Sequence, residues 1–213
     1  MLQVYQSYLG SRLSRERERD YLASIPESIC SEIRQYRRWE DRQSRLFGKL
    51  LLQYALNRRD KNRRSSYLEQ LEYTESGKPF IRGEAGFNIS HSGDLVVLAL
   101  VDNGSAGIDV EKIRPMPLDD FLRDLPEISE LGECATVERL SMFYACWTRK
   151  EAVLKGIGSG LQIPLEQVQL SGDKAFFQDQ VWHLEKIDCG TESSCHVATS
   201  VPHAVSRIEV VNF

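Results

Sequence analysis

The side chains that could carry out chemistry are concentrated in three short segments of the chain, at residues 87–92, 107–111 and 147–156. The first contains a histidine between two serines, the second two carboxylates two residues apart, and the third a glutamate followed four residues later by a lysine. Carboxylates suit a hard divalent cation, and a neighbouring lysine suits a phosphate. Together the segments could hold a divalent cation against a pyrophosphate and deprotonate a hydroxyl beside it.

The carboxylate pair consists of Asp109 and Glu111, at positions i and i+2 of a predicted strand. Strand side chains alternate, so both carboxylates face one way while Ile108 and Val110 face the core. Their Cα atoms would lie roughly 6.5 Å apart, which lets both reach one cation. Magnesium suits such a site, because it shares its shell with substrate phosphates. The alternative is an ordinary strand with one polar face.

Glu151 and Lys155 lie one turn apart on a predicted helix. As a surface ion pair they would contribute only about 0.2–0.5 kcal/mol. Trp147 and Leu154 indicate, however, that much of this helix is buried. A partly buried glutamate near a cation could be a metal ligand or a general base, and Lys155 could reach a phosphate.

His91 is predicted to lie in a turn between two apolar strands, near the hydrogen-bonding side chains of Asn88, Ser90 and Ser92. It could bind a ligand or be incidental to the turn. Lys78 follows a glycine in another predicted turn, where an exposed lysine is the simple interpretation. No role is assigned to the other histidines, which lack metal-like spacing: His183, His196 and His203.

The bulk composition predicts a globular protein. The chain has 213 residues, 41% hydrophobic and 27% charged, enough for one domain or two small ones. It has no apolar run typical of a signal peptide or a bilayer-spanning helix. The five cysteines form no Cys-x-x-Cys pair, which favours reduced thiols in a cytoplasm.

Charge is distributed unevenly along the chain. The net charge is −4, yet residues 34–64 are rich in arginine and lysine and residues 109–138 are mostly acidic. A basic patch on an acidic protein suggests a local phosphate-bearing ligand more than a nucleic-acid coat. The alternative is a solvated helix face.

The elements that must position these residues fall into two similar groups. Helices followed by short strands occur once before residue 103 and once after it. The predicted fold is α+β, a pseudo-dimer of two similar lobes, each with a small antiparallel sheet packed on a long helix. The predicted lobes are residues 1–102 and 103–213. The main predicted helices are 27–36, 41–57 and 136–155, and the main strands are 2–8, 87–89, 95–101, 107–111, 181–187, 196–199 and 207–211.

The motifs at residues 77–79, 87–92, 107–111 and 147–155 resemble, in order and spacing, the signature motifs of the 4'-phosphopantetheinyl transferases. The likeness covers about residues 77–161, and it is greatest to the monomeric, two-lobed type that activates peptide and polyketide synthetases. The resemblance implies that coenzyme A binds between the lobes. It also implies that a serine of an apo carrier protein attacks the phosphate that bears pantetheine and releases adenosine 3',5'-bisphosphate, a holo-acyl-carrier-protein synthase reaction.

The resemblance assigns the catalytic centre to the second lobe. Asp109, Glu111 and Glu151 would hold Mg²⁺, and Glu151 would also be the base for the serine hydroxyl, although a metal-bound water is an open alternative. Lys155 would steady the pyrophosphate.

The resemblance assigns coenzyme A binding mainly to the first lobe. Ser90 and His91 would contact its phosphates, and Lys78 the nucleotide end. Arg45 lies where relatives place a ligand to the 3'-phosphate, and Arg42 could serve instead. Carrier recognition would fall on residues 115–134.

Two alternatives from other classes accompany this prediction. One is a nucleic-acid-binding module that uses the basic segment, but the segment shows no helix-turn-helix and no aromatic stacking positions. The other is a catalytically silent carrier-protein binder, against which the intact carboxylates and Lys155 argue. The prediction is therefore a cytoplasmic, monomeric, Mg²⁺-dependent transferase.

Overall fold

A computed structural model describes residues 1–59, 67–118, 121, 125–129, 136–159 and 163–213. Its first sheet has four strands: β1 (Leu2–Tyr8), β4 (Gly86–Ser92), β5 (Leu95–Val101) and β11 (Val205–Val210). Their order is β11-β1-β5-β4, antiparallel except that β11 runs parallel to β1. Helices α1 (Arg15–Ala23), α2 (Glu27–Arg34) and α3 (Trp39–Arg59) accompany the sheet, and α3 packs on β1 and β5.

The second sheet has five antiparallel strands in the order β6-β10-β9-β8-β7. They are β6 (Ala106–Lys112), β7 (Gln169–Ser171), β8 (Lys174–Phe177), β9 (Gln180–Lys186) and β10 (Ser193–Thr199). Helix α5 (Thr136–Ile157) packs on β6 and β10, and the short α4 (Pro126–Ser129) packs on α5. The remaining described elements are a small hairpin of β2 (Glu72–Tyr73) and β3 (Pro79–Phe80) and two short 3-10 helices at Tyr67–Gln70 and Leu165–Gln167.

The central strand β5 explains why the two sheets belong to one core. All its residues are buried, as expected for a strand covered on both faces. Val96, Leu98 and Leu100 pack in the cluster that contains α3, whereas Val97 and Ala99 pack in a cluster shared with β6 and β10. The apolar run therefore joins the lobes.

The close approach of α5 to β6 depends on Gly107. A Cβ atom at this position would lie 2.0 Å from the carbonyl oxygen of Ala152 and 2.3 Å from the backbone nitrogen of Gly156. No side chain fits there, so the glycine lets α5 rest directly on the carboxylate strand. This contact sets the height of Glu151 and Lys155 above β6.

The predicted α+β architecture with two sheets and two long helices is confirmed. The lobe boundary between residues 102 and 103 stays a prediction, and β11, which falls in the second predicted lobe, pairs with β1 of the first. One local expectation is wrong: His91 lies within β4, not in a turn. The strand continues to Ser92 because its last residues pair with Leu95 and Val96 of β5.

Two predicted features lie partly outside the described residues. Residues 60–64 of the basic segment and half of the residues of the predicted carrier-recognition loop at residues 115–134 fall there. None of the helices that the structure describes is long and apolar enough to cross a bilayer.

Candidate active site

The candidate site lies where the edge strand of one sheet meets the edge strand of the other. Strands β4 and β6 lie side by side at this contact, which we call the β4–β6 seam. Instead of backbone pairing, side-chain oxygens of β4 accept hydrogen bonds from backbone N–H groups of β6. The bonds are Ile108 N to Asn88 Oδ1 (3.0 Å), Val110 N to Ser90 Oγ (3.4 Å) and Lys112 N to Ser92 Oγ (3.1 Å).

The periodicity of both strands explains this pattern. In β6, every second N–H points away from β10 and needs another acceptor, because an unpaired buried N–H costs about 1–3 kcal/mol. In β4, Asn88, Ser90 and Ser92 occupy alternate positions and so share one face. The three polar side chains of β4, two residues apart, therefore match three backbone N–H donors of β6 that are also two residues apart.

The same serine hydroxyls hold the two carboxylates of β6. Ser90 Oγ donates to Asp109 Oδ1 at 3.1 Å, and Ser92 Oγ donates to Glu111 Oε2 at 2.7 Å. Lys155 Nζ reaches the same place from α5, 2.5 Å from Asp109 Oδ1 and 2.9 Å from Ser90 Oγ. Carboxylates, hydroxyls and ammonium from both lobes thus form one connected network.

Glu151 completes the cluster from the buried face of α5, where it is 8% exposed. Burial raises its pKa above the ordinary value, and the charges of Asp109 and Glu111 raise it further, although Lys155 opposes them. Burial also raises the pKa of Glu111, and Asp109 adds to the rise against the Ser92 hydrogen bond. Three carboxylates are therefore crowded around one lysine.

The donor set fits a hard divalent cation. Asp109 is 2% exposed, and its Oδ2 atom is buried without a hydrogen-bond partner in the part of the chain that the structure describes. A cation would satisfy that oxygen and offset the repulsion that raises the pKa of Glu111 and Glu151. As the side chains stand, no three His, Cys, Asp or Glu residues of the described ranges form a ligating group.

A cavity of about 270 Å³ lies on the opposite face of β4, toward α3. Because strand residues alternate, His91 points into this cavity while Ser90 points to the seam. Arg45 also lines it, stacked 4.0 Å above the ring of Tyr36, and its Nε atom is buried without a partner among the described residues. Burial lowers the pKa of His91, and the charges of Arg45 and Lys155 lower it further. Such a cavity suits an anion.

Two residues predicted to bind coenzyme A, Arg42 and Lys78, do not line this cavity. Arg42 donates to the carbonyl oxygens of Tyr36 and Arg37 and lies 3.8 Å from Glu18 of α1. Lys78 Nζ lies 2.5 Å from the carbonyl oxygen of Gly156 at the end of α5, and burial lowers its pKa to about 8. Both side chains therefore contact protein carbonyls, whereas Arg45 and His91 share the cavity.

His196, which has no metal-like spacing in the sequence, lies directly opposite Asp109 in the β10–β6 pair. Its Nδ1 atom lies 2.8 Å from the hydroxyl of Thr148 on α5, which also contacts Ser194 at 3.1 Å. Burial lowers the pKa of His196 to about 4, so the imidazole is neutral near pH 7. Ser194 and His196 alternate along β10, and this spacing was a signal that they share a face with the carboxylates.

Comparisons with known proteins find matches over most of the chain. The family model for 4'-phosphopantetheinyl transferase, N-terminal, matches residues 14–102, and that of the 4'-phosphopantetheinyl transferase superfamily matches residues 105–206. The chain is 30% identical over 202 residues to 4'-phosphopantetheinyl transferase Sfp of Bacillus subtilis, covering 93% of this chain and 86% of that protein. It is 37% identical over 165 residues to 4'-phosphopantetheinyl transferase AcpT of Salmonella typhimurium, covering 73% of this chain and 75% of that protein.

The crowding of carboxylates predicts a pH-dependent cost of folding. Because the pKa of Glu151 is raised in the folded state, ionisation of this side chain opposes folding. Its contribution to the free energy of unfolding therefore falls as the pH rises from the ordinary glutamate pKa through the raised pKa. Without metal, Glu151→Gln should therefore be more stable than the wild type at about pH 7.5, and the difference should shrink near pH 5. Urea unfolding at both pH values measures this.

The matched control is Glu166→Gln, at an exposed position. It should show no such pH-dependent gain. A Glu151→Gln variant that is less stable than the wild type at the higher pH would contradict the crowding argument.

Proposed function

The chain belongs to the 4'-phosphopantetheinyl transferase superfamily, and from this membership we propose which of its residues carry out each part of the reaction. The enzyme transfers the 4'-phosphopantetheine group of coenzyme A to a serine of an apo carrier protein and releases adenosine 3',5'-bisphosphate. The observation that carries the residue assignment is the convergence of Asp109, Glu111, Glu151 and Lys155 around the β4–β6 seam.

Asp109, Glu111 and Glu151 are assigned as the residues that would hold Mg²⁺. When bound there, the ion supplies charge neutralisation for the pyrophosphate oxygens. The support is the all-oxygen donor set and the buried, unpartnered Oδ2 atom of Asp109 within the described residues. Ser90 and Ser92 orient the β6 carboxylates by hydrogen bonding, as outer partners commonly do in metal sites.

Glu151 is assigned as the base that takes the proton of the acceptor serine. Burial and neighbouring carboxylates raise its pKa, so it binds a proton more readily than an exposed glutamate does. The serine oxygen then bonds to the phosphorus that bears pantetheine, and the bond from that phosphorus to the bridging oxygen breaks. Lys155 is assigned to the negative charge that develops on the leaving phosphate.

Arg45 and His91 are assigned to the 3'-phosphate end of coenzyme A. Their shared cavity adjoins one face of β4, and the seam lies on the other face. One coenzyme A molecule could therefore extend from the cavity around the edge of β4 to the seam. Ser90 is assigned to the phosphates near Lys155, because the Ser90 hydroxyl already contacts the Lys155 ammonium. Lys78 is assigned to the nucleotide end because an anion would offset the burial that lowers its pKa. Arg42, held by backbone carbonyls, is the weaker alternative to Arg45.

Finer aspects of the function are also proposals. We propose that the enzyme is a holo-acyl-carrier-protein synthase that also accepts peptidyl carrier domains, and that it works as a monomer in the cytoplasm. Support for a monomer is that one chain supplies every group assigned to the site. Support for a reducing compartment is that the described cysteines have free thiols.

The nucleic-acid-binding alternative is not favoured. Several arginines of the basic segment are engaged within the protein, as in the ion pairs of Arg34 with Glu27 and of Arg38 with Glu40. Arg45 stacks on Tyr36 and faces the cavity. Each of these arginines already has a partner within the protein and would have to exchange it for a phosphate backbone.

Glu151→Gln and Asp109→Ala should fail in different ways. Glu151→Gln keeps size but removes the base, so turnover should fall about 10²-fold or more. Coenzyme A binding, measured by calorimetry, should survive this change. Asp109→Ala should weaken the binding of Mg²⁺, so that a higher Mg²⁺ concentration is needed for activity, and excess Mg²⁺ or Mn²⁺ should restore part of the rate. Intact-mass measurement of the carrier protein gives the rates.

Glu166→Gln serves as the control for a lost exposed carboxylate and should turn over normally. A near-normal rate for Glu151→Gln at saturating Mg²⁺ would remove Glu151 as the base. Loss of coenzyme A binding in that variant would instead assign Glu151 to the binding of Mg²⁺ and coenzyme A.

Arg45→Ala should reduce the preference for coenzyme A over its dephospho form. Losing a charge-assisted phosphate contact costs about 1.5–3 kcal/mol, so the affinity ratio should fall roughly tenfold or more. Arg42→Ala, three residues earlier on α3, is the matched control and should leave that ratio unchanged. The ratio comes from calorimetric titrations with both ligands. An unchanged ratio in Arg45→Ala, or a collapse in Arg42→Ala alone, would reverse the assignment.

A further inference from the structure

Thr148 is fully buried, although its side chain ends in a hydroxyl that needs hydrogen-bond partners. It lies in the segment at residues 147–156, yet the reaction described above gives it no part. Thr148, Glu151 and Lys155 are spaced by three and four residues, so they share one face of α5. That face is turned toward the second sheet, because Lys155 contacts Asp109 of β6.

The hydroxyl of Thr148 joins α5 to β10. Its oxygen lies 2.7 Å from the carbonyl oxygen of Tyr144, 2.8 Å from Nδ1 of His196 and 3.1 Å from Oγ of Ser194. A hydroxyl has one proton and a carbonyl oxygen can only accept, so Thr148 donates to Tyr144 within its own helix. Ser194 and His196 must then both donate to Thr148 Oγ1, which can accept twice. Two hydrogen bonds therefore run from β10 to one atom of α5.

The two donors are also the cross-strand neighbours of the carboxylates. Along the β10–β6 pair, Ser194 lies opposite Glu111 and His196 lies opposite Asp109. Residues directly opposite each other in an antiparallel pair share one face, with Cβ atoms about 4.5–5.5 Å apart. The bonds to Thr148 therefore hold α5 to the second sheet at the level of the two β6 carboxylates.

The position of Glu151 depends on α5 alone. Its side chain has no hydrogen bond or ion pair within the residues that the structure describes, and only longer-range charges act on it. Just after Glu151, Gly107 of β6 contacts α5 at Ala152 and Gly156, but this contact is steric and limits only how close the helix comes. The hydrogen bonds of Thr148, one turn before Glu151, are directional.

We propose that the Thr148 hydroxyl, through its bonds to β10, positions the Glu151 carboxylate against the two carboxylates of β6. Thr148 is a positioning residue that acts through α5, because full burial keeps it from coenzyme A and the reacting atoms. The inference rests on the proposed roles of Glu151 as base and cation ligand. It predicts that loss of this hydroxyl lowers kcat and raises the Mg²⁺ concentration needed for activity, and that binding of the 3'-phosphate end of coenzyme A is spared.

The test is Thr148→Val, because valine keeps the shape of threonine and removes the hydroxyl. Thr148→Ser keeps the hydroxyl and removes only the methyl group. The matched control is Thr199→Val, the same exchange at another buried threonine. Thr199 lies on β10 three residues after His196, so it points to the opposite face of the strand.

Intact-mass assays with an apo carrier protein give kcat and the Mg²⁺ concentration for half-maximal rate. Calorimetry gives Kd for adenosine 3',5'-bisphosphate, and thermal melting gives stability. We expect Thr148→Val to lower kcat at least tenfold and to raise that Mg²⁺ concentration at least threefold, with Kd changed by less than twofold. Thr148→Ser should regain a kcat within threefold of the wild type, and Thr199→Val should keep the wild-type kcat.

Ser194→Ala keeps the test valid if Thr148→Val fails to fold. It removes one of the two β10 donors and leaves Thr148 bonded to His196, so no buried polar group loses its last partner. It should lower kcat at least threefold while its melting temperature stays close to that of the wild type.

The inference would be overturned by a folded Thr148→Val variant with wild-type kcat and Mg²⁺ dependence, or by a wild-type kcat in Ser194→Ala. A Thr148→Ser variant as slow as Thr148→Val, or parallel weakening of adenosine 3',5'-bisphosphate binding, would also overturn it. Glu151→Gln, measured alongside, separates the two failures. A near-normal rate in Glu151→Gln refutes the role of Glu151 itself, whereas an impaired Glu151→Gln beside a normal Thr148→Val refutes only the positioning.

Discussion

The structure depends on one constraint: the outward N–H groups of β6 need acceptors, and β4 supplies them from side chains. Backbone pairing would merge the two sheets and leave no room between their edges. Side-chain acceptors hold the edges together and also bring hydroxyls to the carboxylates of β6. Ser90 and Ser92 thus join the lobes and orient Asp109 and Glu111 with the same atoms. Fold and site are therefore coupled at the β4–β6 seam.

The seam concentrates charge that folding alone does not balance. Asp109, Glu111 and Glu151 face one nearby ammonium, Lys155, and burial raises the pKa of both glutamates. A protein that only needed to fold would gain by replacing some of these groups with apolar ones. A cation and a pyrophosphate would together balance the charges of the cluster. The site is therefore preorganised for a charged ligand before that ligand binds.

Sequence periodicity predicted the parts of the site that depend on a single element. Alternation along β6 put Asp109 and Glu111 on one face, and a helical turn put Glu151 above Lys155. What failed or stayed open depends on contacts outside a single element. His91 belongs to β4 because of pairing with β5. Arg42 and Arg45 are the same residue type in different surroundings, because Arg42 contacts backbone carbonyls whereas Arg45 lines the cavity. The parallel pairing of β11 with β1 and the burial of Lys150 likewise arise from tertiary contacts.

The most direct test of the seam as the metal and pyrophosphate site is anomalous diffraction from crystals grown with coenzyme A and Mn²⁺ in place of Mg²⁺. This assignment of the site predicts one manganese peak, bound by oxygens of Asp109, Glu111 and Glu151 and by oxygens of the coenzyme pyrophosphate. Lys155 should then contact phosphate instead of Asp109. A manganese ion held by the coenzyme phosphates without any of these three carboxylates, or by other residues, would contradict it.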